Sequence, residues 1–395
     1  MLGAAFAAAM LSGCSDDGAS PRGERTSTAH GRAPAAPIDY TLETVVDGLD
    51  LPWSLAFLPD GSMLLTERPG AVKHVTAAGE VSKIFDFADL KDAPVHFVRP
   101  GQAGLFEVSL HPDFADNRLV YFTYAGKTGG EKSTLMLMRF QLEGDAPQLR
   151  LTGGWRLFAA TPDRVQFNHY GGRIAWMADG TLLLPHGEAF HFREKAQLLD
   201  NHFGKLLRLK DDGSVPPDNP FVGKDGALPE IYSYGHRNQQ GILIGTDGAI
   251  YLHEHGPKGG DEINRIEKGA NYGWPVVSYG LDYSGARISP FEALPNTKQP
   301  LLHFTPSIAP SGFTQYSGEA FPGWKDDLFL SALALKHVRR VEVTEDGGFG
   351  AQQELFGELG ARIRDVRTGP DGFLYLLTET REGAGGKLIR VKPKE

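Results

Sequence analysis

Three groups of side chains in the 395-residue sequence have types and spacings suited to chemistry. The first is His169 in Asn168-His169-Tyr170-Gly171-Gly172-Arg173, with Glu188 beyond the next apolar run in His186-Gly187-Glu188. An imidazole with a reference pKa of about 6.5 accepts a proton at neutral pH, and a neighbouring carboxylate fixes its tautomer and stabilises the imidazolium. A His beside a Gly pair is equally compatible with a plain turn. The second group is cationic: Arg237 in Gly235-His236-Arg237-Asn238, Lys336, and the pair in Arg362-Ile363-Arg364-Asp365. Strand alternation puts Arg362 and Arg364 on one face, where like charges repel unless a carboxylate or another anion neutralises them. Guanidinium forks bind carboxylates in a bidentate way, and ordinary surface ion pairs are the alternative. The third group runs from His253 to Glu262 through Glu254-His255-Gly256-Pro257-Lys258-Gly259-Gly260-Asp261. His253 and His255 share a strand face as a zinc pair would, yet no third ligand stands at a familiar spacing. The Gly-rich bend with acids after it suits calcium better, since calcium accepts backbone carbonyls and carboxylates. A plain loop is the alternative. It is not a Walker motif, because no Gly-Lys-Ser/Thr follows a strand there.

The elements that must position these groups announce themselves as a repeat, in which a turn carrying Asp-Gly or Pro-Asp precedes a short run of Leu, Tyr, Val or Ile. The copies are Pro59-Asp60-Gly61, Pro112-Asp113, Asp179-Gly180, Asp247-Gly248 and Pro370-Asp371-Gly372, with a degenerate one at Gly323-Trp324-Lys325-Asp326-Asp327. Asp-Gly between apolar runs is a hairpin signal, because the turn needs a positive φ that Gly adopts without strain. Six copies at spacings of roughly 45 to 80 residues predict an all-β fold, a six-bladed β-propeller with loop insertions. A β-sandwich or barrel with repeated hairpins is the competing architecture. Helical pattern is sparse, the best stretch being Glu194 to Leu199.

Composition bounds the partners. Lys plus Arg number 40 against 49 Asp plus Glu, and the resulting charge of −9 argues against nucleic acid, whose binding rests on a basic surface. The single cysteine, Cys14, excludes an internal disulfide and lies just past an Ala-rich apolar stretch. Leu11-Ser12-Gly13-Cys14 looks like a lipobox, so residues 1–14 are expected to be a lipoprotein-type signal segment. No Lys or Arg precedes the apolar run, which leaves an ordinary leader as the alternative. Residues 15–37, rich in Ser, Gly, Pro, Ala, Arg and Asp, read as a flexible linker, and residues 38–395 as the propeller domain. No later stretch approaches the roughly 18 apolar residues of a spanning helix. The expected location is the periplasm, with the membrane reached only through a lipid on Cys14.

Several segments together resemble one family, the bacterial soluble aldose sugar dehydrogenases that use pyrroloquinoline quinone, within the glucose/sorbosone dehydrogenase group. They include Leu51-Pro52-Trp53, Gly101-Gln102-Ala103-Gly104-Leu105, His111-Pro112-Asp113-Phe114, His169-Tyr170-Gly171-Gly172-Arg173 and Gly204-Lys205-Leu206-Leu207-Arg208. The series continues through Gly235-His236-Arg237-Asn238, Glu254-His255-Gly256-Pro257, Asn271-Tyr272-Gly273-Trp274-Pro275, Thr305-Pro306-Ser307-Ile308-Ala309-Pro310 and Arg362-Ile363-Arg364-Asp365. The resemblance implies oxidation of an aldose at C1 to the lactone, with hydride transfer to the quinone. It implies His169 as catalytic base, Glu188 as its orienting acid and Gln102 beside the reacting centre. Arg237, Asn238, Lys336, Arg362 and Arg364, with Thr305 and Ser307, are implied as quinone contacts. A flat dione with three carboxylates needs such cations and amide donors. Calcium on the cofactor is implied at the carbonyls of Gly256 and Pro257, and a second ion at Glu262 and Tyr272.

The sequence departs from the family's pattern at three places. Glu188 replaces an Asp, and its extra methylene puts the orientation of the base at issue. Gln239 replaces a Pro. Leu302 and Thr305 replace aromatic residues, which implies a more open sugar pocket, with Phe304 as a partial substitute wall. The electron acceptor stays open between a membrane quinone and a cytochrome. Two other classes compete: a noncatalytic binding propeller, and a calcium-dependent lactonase, which should place acids and Asn, not an Arg-Lys cage, at the axis.

Overall fold

The computed structural model describes residues 38–90 and 96–394, so the signal segment expected at 1–14 and the linker at 15–37 lie outside the described residues. Each of the six Asp-bearing turns joins the first strand of a blade to its second. Asp60 accepts the Ser62 N–H at 3.0 Å, Asp179 the Thr181 N–H at 3.0 Å and Asp371 the Phe373 N–H at 3.2 Å. The glycines that follow take φ of 81°, 78° and 80°, a region where a Cβ is strained. Two copies vary the device: the four-residue helix Phe114–Asn117 follows Asp113, and the 3-10 turn Pro322–Trp324 precedes Asp327. The pattern expected as a helix at Glu194 to Leu199 forms a 3-10 turn at Arg193–Gln197.

Five blades are sheets of consecutive strands, beginning with Pro52–Phe57, Leu105–Leu110, Ala175–Trp176, Gln239–Ile244 and Pro310–Gln315. The second carries an extra pairing of His96–Phe97 with Leu119–Gly129. The sixth is built from both ends of the chain: Arg362–Thr368, Leu374–Glu379 and Ala384–Pro393 are completed by Tyr40–Asp50, in antiparallel register from Tyr40 opposite Pro393. This pairing closes the ring and leaves no first or last blade free, which settles the choice between propeller and sandwich. Among the described residues no helix is long and apolar enough to cross a membrane.

Apolar side chains fill the wedges between blades. Leu64 and Val72 of the first blade pack with Val108, Phe122 and Phe140 of the second, all buried, each worth about 1.5–3 kcal/mol of transfer free energy. First strands of neighbouring blades pack side by side around the axis. There Glu107 accepts from Ser54, Arg173 and Arg367, while Asp365 pairs with the same two arginines. Arg173 also donates to the carbonyls of Gln240 and Arg364. Two carboxylates and two guanidiniums therefore neutralise one another there and tie blades one, two, four and six to the segment that enters blade three.

Candidate active site

Because the first two strands of each blade are antiparallel, the start of one lies beside the end of the next: Pro52 opposite Glu67, Gln239 opposite Glu254, Arg362 opposite Glu379. That rim surrounds a cavity of about 410 Å³ whose wall includes Trp53, Arg68, Gln102, Asn238, His255, Arg362, Arg364 and Glu379, a size suited to a small cofactor.

His169 stands on the segment entering the third blade, with φ of 50°. Gly187 lets that segment and the end of strand Leu182–His186 meet, since a Cβ there would lie 2.5 Å from the His169 carbonyl oxygen. Their approach brings Glu188 to the ring, with Oε2 3.1 Å from His169 Nδ1. The extra methylene of Glu188 therefore does not prevent the contact. The same oxygen accepts the Phe190 N–H, so Ala189 and Phe190, at φ of 61° and 67°, wrap tightly around the carboxylate. Gln102 Oε1 accepts the His169 backbone N–H at 2.8 Å, and Arg164 donates to the carbonyls of Asn168 and His169. Burial pushes the His169 imidazolium pKa down, against the opposing pull of Glu188. Glu188 itself lies below the usual carboxylate range, because His169, Arg237 and the Phe190 N–H outweigh its burial. With Nδ1–H committed to Glu188, Nε2 keeps its lone pair and has no partner among the described residues.

The cations divide into three environments. Arg362 and Arg364 line the cavity and both bind Glu379, at 2.9 Å and 2.8 Å, so the ion-pair alternative holds for them in part. Arg237 is buried, with Nη1 donating to the carbonyls of His255 and Gly256 at 3.1 Å and 2.6 Å. Lys336 is exposed at φ of 57° and does not reach the cavity wall. Nor do Thr305, which accepts from the Gly260 N–H, and Ser307, whose hydroxyl is bound to Asp261. Ala309 takes the place on the wall from that loop.

The sequence reading missed Arg68, which enters the cavity from the end of strand Met63–Glu67 with no side-chain hydrogen bond among the described residues. Burial and the neighbouring Arg364 and Arg362 lower its pKa. With Arg381 also on the wall, four arginines face Glu379 and Glu382, an excess of cation that fits a multiply anionic ligand. Leu65-Thr66-Glu67-Arg68 and Leu377-Thr378-Glu379-Thr380-Arg381 repeat one another at two blade ends, a signal for Arg68 present in the sequence.

His253 is enclosed with both ring nitrogens unpartnered, while His255 Nε2 bonds the Pro310 carbonyl at 2.6 Å. Among the described residues no three His, Cys, Asp or Glu side chains converge as metal ligands, so the zinc alternative has no support in the side-chain geometry. A small cavity of about 20 Å³ is instead bordered by Glu254, Gly256, Pro257, Glu262 and Tyr272. Burial and the nearby Glu254 push the Glu262 pKa up to about 8. Two crowded acids beside backbone carbonyls form a donor set that fits a hard cation. Phe304 packs into the core with Ile263 and Phe313, leaving it out of any open sugar wall.

The glucose/sorbosone dehydrogenase family model matches residues 49–390. Aldose sugar dehydrogenase YliI of Escherichia coli strain K12 is 40% identical over 369 residues, covering 91% of this chain and 95% of its own. Quinoprotein glucose dehydrogenase B of Acinetobacter calcoaceticus is 27% identical over 426 residues, covering 87% and 86%. The crystal structure of the soluble aldose sugar dehydrogenase from Escherichia coli in the apo form superposes with a TM-score of 0.83 at 38% identity, covering 90% of this chain and all of that one.

Proposed function

The chain belongs to the glucose/sorbosone dehydrogenase family, and from that premise we propose that it oxidises aldose sugars at C1 to the lactone with pyrroloquinoline quinone as cofactor. The observation that carries the reading is that His169, paired through Nδ1 with Glu188, sits beside an arginine-rich cavity whose wall includes its chain neighbours Tyr170 and Gly171 and its partner Gln102, though not the imidazole itself. His169 Nε2 takes the proton of the anomeric hydroxyl, while Glu188 holds Nδ1–H and stabilises the imidazolium that forms. Gln102, its carbonyl oxygen already spent on the His169 backbone, keeps its amide N–H groups for the substrate or cofactor. Arg68, Arg362 and Arg364, with Asn238, would hold the quinone's carboxylates and ring oxygens. When bound, the quinone supplies the two-electron acceptor for the hydride that leaves C1. The Gly256 and Pro257 carbonyls would hold a calcium ion that polarises the cofactor, and Glu262 with Tyr272 a second one. One lone pair of the Gly256 oxygen accepts from Arg237, leaving the other for the ion.

The test is titration of the purified apo-protein with the quinone, in calcium and in a chelator, following dye reduction by a panel of aldoses. Quinone- and calcium-dependent activity is expected. Arg68→Gln is expected to weaken quinone binding roughly tenfold or more, because a hydrogen bond to a charged group is worth about 1.5–3 kcal/mol. No quinone binding at micromolar concentration refutes the reading. A lactonase is disfavoured because the axial acids Glu107 and Asp365 are consumed by Arg173 and Arg367.

The lipobox-like segment supports a periplasmic location with a lipid on Cys14. Metabolic palmitate labelling is expected to mark the parent protein and not Cys14→Ala. An unlabelled parent contradicts the anchor.

A further inference from the structure

One buried cation binds both of the segments that carry the base and its acid. Arg164 lies between the second blade and the third, its backbone N–H and carbonyl exchanging hydrogen bonds with Ser133 at 3.0 Å and 2.8 Å. The residue is only 2% exposed. Nε donates to the Gln166 carbonyl at 3.3 Å, and Nη2 donates to the carbonyls of Asn168 and His169 at 3.1 Å and 3.3 Å. Nη1 stands 3.2 Å from His186 Nε2. His186 Nδ1 faces the His202 carbonyl at 3.0 Å, which only accepts, so Nδ1 carries the ring proton and Nε2 accepts from Arg164. The guanidinium also lies over the Tyr170 ring, 4.2 Å from its centroid.

These contacts are three carbonyls, an imidazole and an aromatic face, with no carboxylate among them. A cation removed from water without an anion partner is costly, and packing alone is served as well by an apolar side chain. The arrangement instead serves the meeting of two segments. His186 ends strand Leu182–His186 and leads through Gly187 to Glu188, while Asn168 and His169 belong to the segment entering the third blade. One fork therefore holds the strand end that delivers the acid, and it holds the carbonyls of the left-handed base residue and of the residue before it. Its charge reaches the same ring. Burial and the guanidiniums of Arg237 and Arg164 lower the His169 pKa against the pull of Glu188, and the nearby His255 is itself kept neutral by burial.

We propose that Arg164 is a positioning residue for the base, its fork holding His169 and Glu188 at the distance that commits Nδ1–H to the carboxylate. The inference rests on the aldose reading and adds to it a residue that does not line the cavity. The fork also works through its charge, which favours the unprotonated imidazole and so opposes Glu188 in sign.

The test compares Arg164→Gln and Arg164→Lys with the parent. It measures kcat and KM for glucose across a pH series in the quinone- and calcium-loaded enzyme, together with quinone affinity. In the apo-protein it follows the His169 titration by NMR of the histidine ring protons, assigned with His169→Asn. Arg164→Gln is expected to lower kcat about tenfold or more, since a small misplacement of a reacting group costs up to about a hundredfold. Glucose KM and quinone affinity are expected to stay within about twofold. The acid limb and the NMR titration are expected to move to higher pH, the direction opposite to that expected of Glu188→Gln. Arg164→Lys, which keeps the charge but not the fork, is expected to hold the parent's titration and to lose rate by a smaller factor. If Arg164→Gln does not fold, Arg164→Lys carries the test, and an unmoved kcat in it overturns the role. An active parent whose kcat and titration are both unmoved in Arg164→Gln overturns the positioning role alone, as does a loss confined to melting temperature or quinone affinity. A parent inactive on glucose and on the other aldoses overturns the dehydrogenase reading and the positioning role with it.

Discussion

Replacing His169 by Asn is expected to lower kcat for every aldose by a factor of about 100 to 10,000, the usual contribution of a positioned general base, while quinone affinity changes little. The separation follows from geometry. The His169 ring bonds only Glu188 among the described residues, and the arginines and Asn238 on the cavity wall do not depend on it. The pH profile carries the same information. Because burial lowers the His169 pKa, the parent's kcat/KM is expected to hold as pH falls through 6.5 and to decline only below it. His169→Asn is expected to lose that acid limb from its residual rate. An acid limb unchanged in the variant would assign it to another group.

Glu188→Gln is the second large effect, with an expected loss of a hundredfold or more in kcat, on the order of what tautomer-fixing carboxylates contribute elsewhere. An amide presents an N–H to Nδ1, favouring the tautomer in which Nε2 carries the proton and has no lone pair. It also removes the charge that stabilises the imidazolium as the sugar's proton arrives. The sign of the pH shift is fixed by the same interactions. Glu188 raises the His169 pKa against burial, so removing its charge moves the acid limb to still lower pH while the plateau falls. Glu188→Asp keeps the charge and is expected to recover much of the rate, measured by kcat across a pH series. Equal damage from Asp and Gln would mean that length, not charge, is what position 188 supplies.

How these residues meet was only partly legible in the sequence. The Asp-Gly turns were readable because their chemistry is local: an Asp side chain caps the amide two residues on, and Gly takes the positive φ. Repetition then exposed the six blades. The closing pairing of Tyr40–Asp50 with Ala384–Pro393 carries no local mark, since it joins residues from opposite ends of the chain. His169 and Glu188 could be paired as a plausible base and acid, but the glycine that permits their approach, Gly187, acts through a backbone contact that spacing does not reveal. The arginines illustrate the limit further. Arg362 and Arg364 read in the sequence as cations for a ligand, and in the structure both bind Glu379. Arg68, which has no such partner among the described residues, went unnoticed because its place at the cavity depends on which rim a strand end reaches. Lys336 was legible only by family position, and it stands exposed, away from the wall.

The most direct test of the central claim is a single-turnover measurement on the protein loaded with pyrroloquinoline quinone and calcium, following the bound quinone's absorbance after one addition of glucose or of glucose deuterated at C1. The account predicts reduction of the bound quinone in the parent, slowed by the deuterium, and at least a hundredfold slower reduction in His169→Asn loaded to the same occupancy. Reduction at the parent's rate in His169→Asn, or no reduction in a fully loaded parent, would contradict it.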